Sequence, residues 1–245
     1  YRALDLGPLA VAAFDRKFRI FESPAIVISK QFEPWYEQER TLRSSMYWEH
    51  YENYLRSVRG WPEESIAALD ETTTDVVSRL TRPTRPEIKQ TKGLVVGYVQ
   101  SGKTANFTGV AAKAIDAGYR LIIVMTGTIE ILRSQTQRRL DMELMGRENI
   151  LSGQDPDDPV VARELDYQSD RDWLADNFIS HGDELLQPGV AEIARVTSHR
   201  SDYKRLPQGM TKLRFDRKNK RKSLNDEENL YHSNAYVAVM KKNPA

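Results

Sequence analysis

Gly97-Tyr98-Val99-Gln100-Ser101-Gly102-Lys103-Thr104 spells G-x-x-x-x-G-K-[ST] in full, and no other feature constrains this chain as tightly. The match sits between an apolar run, GLVVG at 93–97, and a stretch with helical periodicity, which is the context a phosphate-binding loop requires. Glycine lets successive backbone N–H groups curl around a phosphate without Cβ clashes, and the following helix adds the positive end of its dipole. Gly97, Gln100, Ser101 and Gly102 are therefore the expected cradle. Lys103 is expected at the β and γ phosphates, and the Thr104 hydroxyl on a Mg²⁺ ion, with ATP as the ligand. The competing reading is a surface glycine turn, and ordinary residue usage produces the string by chance in about one chain of this length in a hundred.

The surroundings of the motif fix the expected fold class. Thr104 to Asp116 places Phe107, Val110, Ala111, Ala114 and Ile115 on one helix face, and Gly118 suits the helix end. RLIIVM at 120–125 reads as a buried strand, and a helix from Ile129 to Met145 is expected to stop at Gly146. This βαβα alternation predicts an α/β domain with a parallel sheet flanked by helices, of the RecA-like P-loop kind, over 87–245. AYVAVM at 235–240 predicts a further buried strand, while 160–210 shows no sustained period and reads as mixed helix and loop.

Residues 1–86 predict an α-helical N-terminal region and linker. Tyr47, Tyr51, Tyr54, Leu55 and Val58 fall on one helix face, Gly60 ends that helix, and Pro62 with Glu63 and Glu64 opens the next. Aromatic side chains at helical spacing predict core. A nucleotide-base stacking surface made of these tyrosines with Trp35, Tyr36 and Trp48 is the alternative. GWPEESIAALDETTTDVVSRL reads as two short helices meeting near Asp70 or Thr72, and TRPTRPE, with Pro83 and Pro86, as the linker between domains.

Charge and composition narrow the partners. With 36 Lys and Arg against 35 Asp and Glu, no overall field selects nucleic acid or an anionic membrane, so any such surface must be local. The absence of cysteine excludes disulfides and thiolate zinc sites and fits a cytoplasmic protein. No apolar run approaches the ~20 residues of a membrane span. Thr126, Thr128, Arg133 and Gln135 follow the second strand and could meet a nucleic-acid backbone, hydroxyls, amides and guanidinium suiting phosphate oxygens. A capped helix with a solvated polar face is the plainer reading. KLRFDRKNKRK at 212–222 is either a phosphate grip or a solvated loop.

An acidic residue at the end of an apolar strand, needed to hold Mg²⁺ and position water, is not found. AYVAVM runs instead into Lys241-Lys242-Asn243. The expectation is a chain that begins at Tyr1 and stops at Ala245 as a piece of a longer protein, ahead of its acidic motif; a P-loop that binds nucleotide without hydrolysis is the alternative.

On GWPEESIAALDETT at 60–73, GLVVGYVQSGKTANFTGVAAKAIDAGYRLIIVMTGTIEILRSQTQRRLD at 93–141 and AYVAVMKKN at 235–243, the chain resembles the bacterial Z-one domain family. Members are classed as endonucleases associated with superfamily-two helicase-like ATPases of restriction and defence systems. The resemblance implies a RecA-like motor core, ATP and Mg²⁺ as ligands, DNA as the polymer, and partner subunits of a defence system. It also implies that Thr126 through Gln135 forms a nucleic-acid-contacting motif, and that the family's acidic motif lies beyond this sequence. Glu87-Ile88-Lys89 fits the E-x-K string of a nuclease centre but sits in the proline-broken linker without an acidic partner. A P-loop phosphotransferase with Arg133, Arg138 and Arg139 as lid residues, and a non-hydrolysing interaction module, are the other readings.

Overall fold

Helical periodicity in the first half of the chain produces the helices it predicts. In the computed structural model, which describes residues 35–87, 89–96, 103–151, 166–187, 190–200, 202, 220–221 and 234–242, α1 spans Tyr36–Leu42, α2 Met46–Ser57 and α3 Glu63–Ser78. Tyr47, Tyr51, Tyr54 and Leu55 are buried, as are Trp35, Tyr36 and Trp48, so the aromatic stripe is core and offers no ring for base stacking. Val58 alone of the predicted face is exposed. Gly60 at φ +65° closes α2 by a left-handed residue, and Pro62 precedes the first turn of α3.

The expected break near Asp70 does not occur, and α3 is one continuous helix. Thr72 and Thr73 turn their hydroxyls back onto the Leu69 carbonyl at 3.1 and 2.6 Å, which spends inside the helix the hydrogen-bonding capacity that would otherwise compete with it. Asp70 is held from outside by Arg40 and Lys113.

The next helix, α4, spans Lys103–Asp116 and is the hub of the helical layer, packing on both α2 and α3. Ala111, Ala114 and Ile115 are buried as the spacing predicts, but so is Lys113 at 0% exposure. Its ammonium donates to the Asp70 carbonyl and carboxylate, both at 2.7 Å, and to Thr74 Oγ1 at 2.6 Å, and lies 4.1 Å from the Trp48 ring centroid. These partners offset part of the lost hydration. Asp116, the last residue of α4, accepts hydrogen bonds from the backbone of Tyr47 and Trp48 at 3.1 and 3.0 Å and so caps α2 from another helix. Gly118, at φ +101°, then turns the chain toward the sheet.

Three parallel strands, β1 (Leu121–Thr126), β2 (Glu192–Arg195) and β3 (Asn234–Lys241), pair in the order β1-β3-β2. The mixed α/β class with a parallel sheet agrees with the alternation in the sequence. Ile122, Val124, Ile193, Ala235, Val237 and Val239 face the helices and join the core. Leu121, Ile123 and Met125 face outward and are exposed, so β1 alternates instead of being buried on both faces as expected. The expected strand GLVVG is not formed over its described residues: 93–96 make no ladder, and Leu94 is 87% exposed. An apolar run supplies the composition of a strand, whereas a strand exists only through a neighbour's hydrogen bonds.

After β1, α5 (Glu130–Leu140) runs into a π-helical turn at Asp141–Met145, ended by Gly146 at φ +73°, and then α6 (Gly146–Leu151). The predicted helix 129–145 is thus present with a wider last turn. A short α7 (Arg171–Leu174) and a 3₁₀ turn at Gly182–Leu186 lead toward β2. All the described elements belong to one compact unit, Glu33–Ala245, and the helices before the TRPTRPE linker pack directly on the first helix after it.

Candidate functional site at the carboxyl edge of the sheet

Parallel pairing points the carboxyl ends of all three strands the same way, Thr126 level with Lys241 and Arg195 opposite Val237, four residues short of that edge. In open parallel sheets that edge is where ligands bind. The C-terminal end of α4 is tied to the opposite edge: Asp116 holds Tyr47, whose hydroxyl donates at 2.5 Å to the Ala191 carbonyl just ahead of β2. The other end of α4, fourteen residues long, carries Lys103 and Thr104 away from the amino edge. Gly97, Gln100, Ser101 and Gly102 lie outside the described residues, as does the Lys103 side chain. The backbone of Lys103 opens α4, and half-buried Thr104 stands in its first turn, its carbonyl accepting from Thr108 Oγ1 at 2.9 Å.

The four residues expected at a nucleic-acid backbone divide. Thr126 is half-buried and ties the ends of β1 and β3 together, its hydroxyl donating to the Met240 carbonyl at 3.3 Å while its carbonyl accepts from the Lys242 N–H at 3.3 Å. Thr128 and Gln135 are exposed. The N-cap position of α5 is Ile129, which makes no side-chain cap, so the capped-helix reading is not what forms. Arg133 corrects the expectation outright, being 0% exposed. Its guanidinium donates to the carbonyls of Ser198 at 2.9 Å, His199 at 2.7 Å and Val239 at 3.4 Å, and its Nε to Glu130 at 2.6 Å. Four of the five donors of the fork are spent on these partners and the side chain is fully buried, so the guanidinium is not presented to a phosphate outside.

A buried polar network continues from Arg133 and sets the loop after β2. Thr197 Oγ1 donates to Gln137 at 2.6 Å and accepts from the Val239 N–H at 2.8 Å. Gln137 donates in turn to Asp141, which also accepts from Tyr167 Oη at 2.5 Å and Arg195 at 3.0 Å. Burial pushes the Asp141 carboxyl upward, against the pull of Arg195, Tyr167 and Gln137. For Arg195 burial works against the charge, but Asp141 and Asp166 more than offset it and raise its pKa. The network is a bolt between α5 and the sheet, with every member engaged.

The loop it holds brings acid to the carboxyl edge that the sequence pattern did not reveal. Asp202 accepts from the Lys241 N–H at 3.0 Å, at the end of the central strand, and Glu130 pairs with Lys241 Nζ at 3.2 Å. No acid-ended strand points to Asp202: it follows β2 by seven residues and reaches β3 only through the fold.

Other candidates disperse. Glu87 is exposed beside Arg85, Ile88 lies outside the described residues, and no group of metal-ligating side chains able to hold a metal occurs among the described residues. Arg138 is committed to Asp170 and Asp172, and Arg139 to Glu143, which leaves no free lid arginine on α5. Of KLRFDRKNKRK only 220–221 is described, as a turn. Among the described residues no helix is long and apolar enough to cross a membrane. Comparison of the chain with protein-family models, with curated proteins and with solved structures gives no match.

Proposed function

We propose that this chain is an ATP-binding, helicase-like module of a bacterial DNA-processing protein of the restriction and defence type, as its resemblance to the Z-one domain family implies. The observation that carries the reading is G-x-x-x-x-G-K-T at 97–104, whose last two residues open α4 ahead of a strand of a parallel sheet. Backbone N–H groups of Gly97 to Gly102 and the α4 terminus bind the phosphates, Lys103 neutralises the β and γ oxygens, and Thr104 ligates Mg²⁺. A RecA-like core around the motif belongs to the same proposal.

DNA contact at the same edge is the second part. Thr126, at the end of β1, Thr128, between β1 and α5, and Gln135, on the second turn of α5, present hydroxyl and amide groups, and exposed Lys242 adds charge. Arg133 has no part in it. A phosphotransferase is the weaker reading, because its lid would need arginines that are instead paired or buried here.

Titration with a fluorescent ATP analogue and Mg²⁺, beside Lys103→Ala, tests the proposal. Saturable binding lost in the variant is expected. Equal binding by both proteins, or none by a folded wild-type sample, overturns it.

A further inference from the structure

Away from the carboxyl edge, α2 meets the turn that leads to β2 through a pair of histidines. His50 Nδ1 lies 2.8 Å from His181 Nδ1, the two rings nearly parallel at 12° with centroids 5.1 Å apart. The outer nitrogens face fixed acceptors. His181 Nε2 is 2.9 Å from the Leu144 carbonyl, and His50 Nε2 is 3.1 Å from the Glu184 carboxylate.

Hydrogen-bond bookkeeping sets the charge of this pair. A carbonyl and a carboxylate only accept, so both Nε2 atoms carry hydrogen, and the contact between the two Nδ1 atoms needs one more. Three protons on two rings are one more than two neutral imidazoles hold, so the pair carries a single positive charge. His181 is buried, edge-on to the Tyr47 ring at 4.9 Å, and burial followed by the nearby His50 charge pulls it down to about 4. His50 has the Glu184 carboxylate as its counter-ion.

We propose that His50 and His181 form a proton-sharing clasp that holds the 180–186 turn against α2 and releases it when the pair loses its third proton. With two protons left for three contacts, one contact must fail: two lone pairs face each other between the rings, or a bare nitrogen faces the Leu144 carbonyl or Glu184. Other charged and polar groups reach the clasp from each packed element. Glu148, at the start of α6, accepts from the His181 N–H at 2.9 Å and from Ser180 Oγ at 2.5 Å, Tyr47 comes from α2, and the π turn supplies the Leu144 carbonyl.

The geometry also decides which side gives way. A Cβ on Gly146 would stand 2.6 Å from the Ile179 carbonyl and 2.8 Å from the His181 ring, so His181 is wedged in place. Glu184, on the exposed face of the 3₁₀ turn, is the partner free to move. Release therefore loosens 182–186, the segment that feeds β2, and leaves His181 seated.

Nitrogen-15 NMR of the histidine rings in the full chain, with amide-exchange protection of 182–186 corrected for intrinsic rates, tests the clasp between about pH 5 and about pH 8. At the acid end both His50 nitrogens should be protonated and His181 Nδ1 bare. Loss of one proton should lower protection of 182–186 about tenfold, as expected for losing a hydrogen bond to a charged group, with α6 unchanged. His50→Gln should remove that pH dependence, and Glu184→Gln should move the proton loss to lower pH. A His50 with a bare nitrogen while 182–186 stays protected, or an unaltered pH dependence in His50→Gln, overturns the proposal.

Discussion

Replacing Arg133 separates a residue that folds the carboxyl edge from one that touches a ligand there. Arg133→Met keeps the apolar stem and removes the donors, so the Ser198 and His199 carbonyls, held at 2.9 and 2.7 Å, lose charge-assisted partners inside the protein. Hydrogen bonds to charged groups contribute about 1.5 to 3 kcal/mol each, which puts the cost of losing two at about 3 to 6 kcal/mol before any gain from leaving Glu130 in water. The 3.4 Å contact to Val239 adds little at that length. With a urea slope of about 2 to 3 kcal/mol/M, the unfolding midpoint should fall by about 1.5 M. Arg133→Lys keeps the charge on a single compact head that cannot serve two divergent carbonyls, so it should recover under half of the loss. An Arg133→Met protein with the wild-type midpoint would refute this reasoning, and a selective loss of DNA affinity at full stability would restore the outward role read from the sequence.

Glycine positions and one buried lysine give further tests. Gly146→Ala forces a side chain at φ +73° into the Ile179 carbonyl and should destabilise by more than about 2 kcal/mol, whereas Gly182→Ala, at φ +56° with open space around it, should cost about 1. Equal effects in thermal unfolding would contradict the packing described for His181. Burial pulls Lys113 down to about 8 from its ordinary 10.5. Between those values the unfolded chain binds a proton that the folded chain has released, so stability gains from rising pH, by up to about 3 kcal/mol. The gain should be absent from Lys113→Met. Wild type and variant responding alike in urea titrations over this range would show that Lys113 keeps its charge in the fold.

What could be read from the sequence was periodic or local. Tyr47, Tyr51, Tyr54 and Leu55 declare their face by spacing alone, and Gly60, Gly118 and Gly146 mark chain reversals that need a positive φ. The parallel sheet followed from the alternation of strand and helix. Polar residues escaped because their burial is decided by partners far along the chain. Lys113 goes inside because of Asp70, 43 positions away, and Arg133 because of carbonyls 65, 66 and 106 positions away. Spacing cannot tell such residues from a solvated charge. Asp202 was invisible for the same reason, its placement at β3 being a product of the fold.

The Asp116 carboxylate divides the instructions for α2 between two places. Periodicity within 46–57 tells the helix which way to face, but Ser45 at its N-cap makes no side-chain bond, and the group that fixes its first turn lies 69 positions downstream. The start of α2 is thus settled only when α4 arrives, a non-local contact that folding must close before the aromatic stripe is in register. The two instructions also tolerate change differently. Residues added to the TRPTRPE linker leave Asp116 on its own face of α4, while a single residue added within α4 swings it by about 100° and leaves the start of α2 without its acceptor.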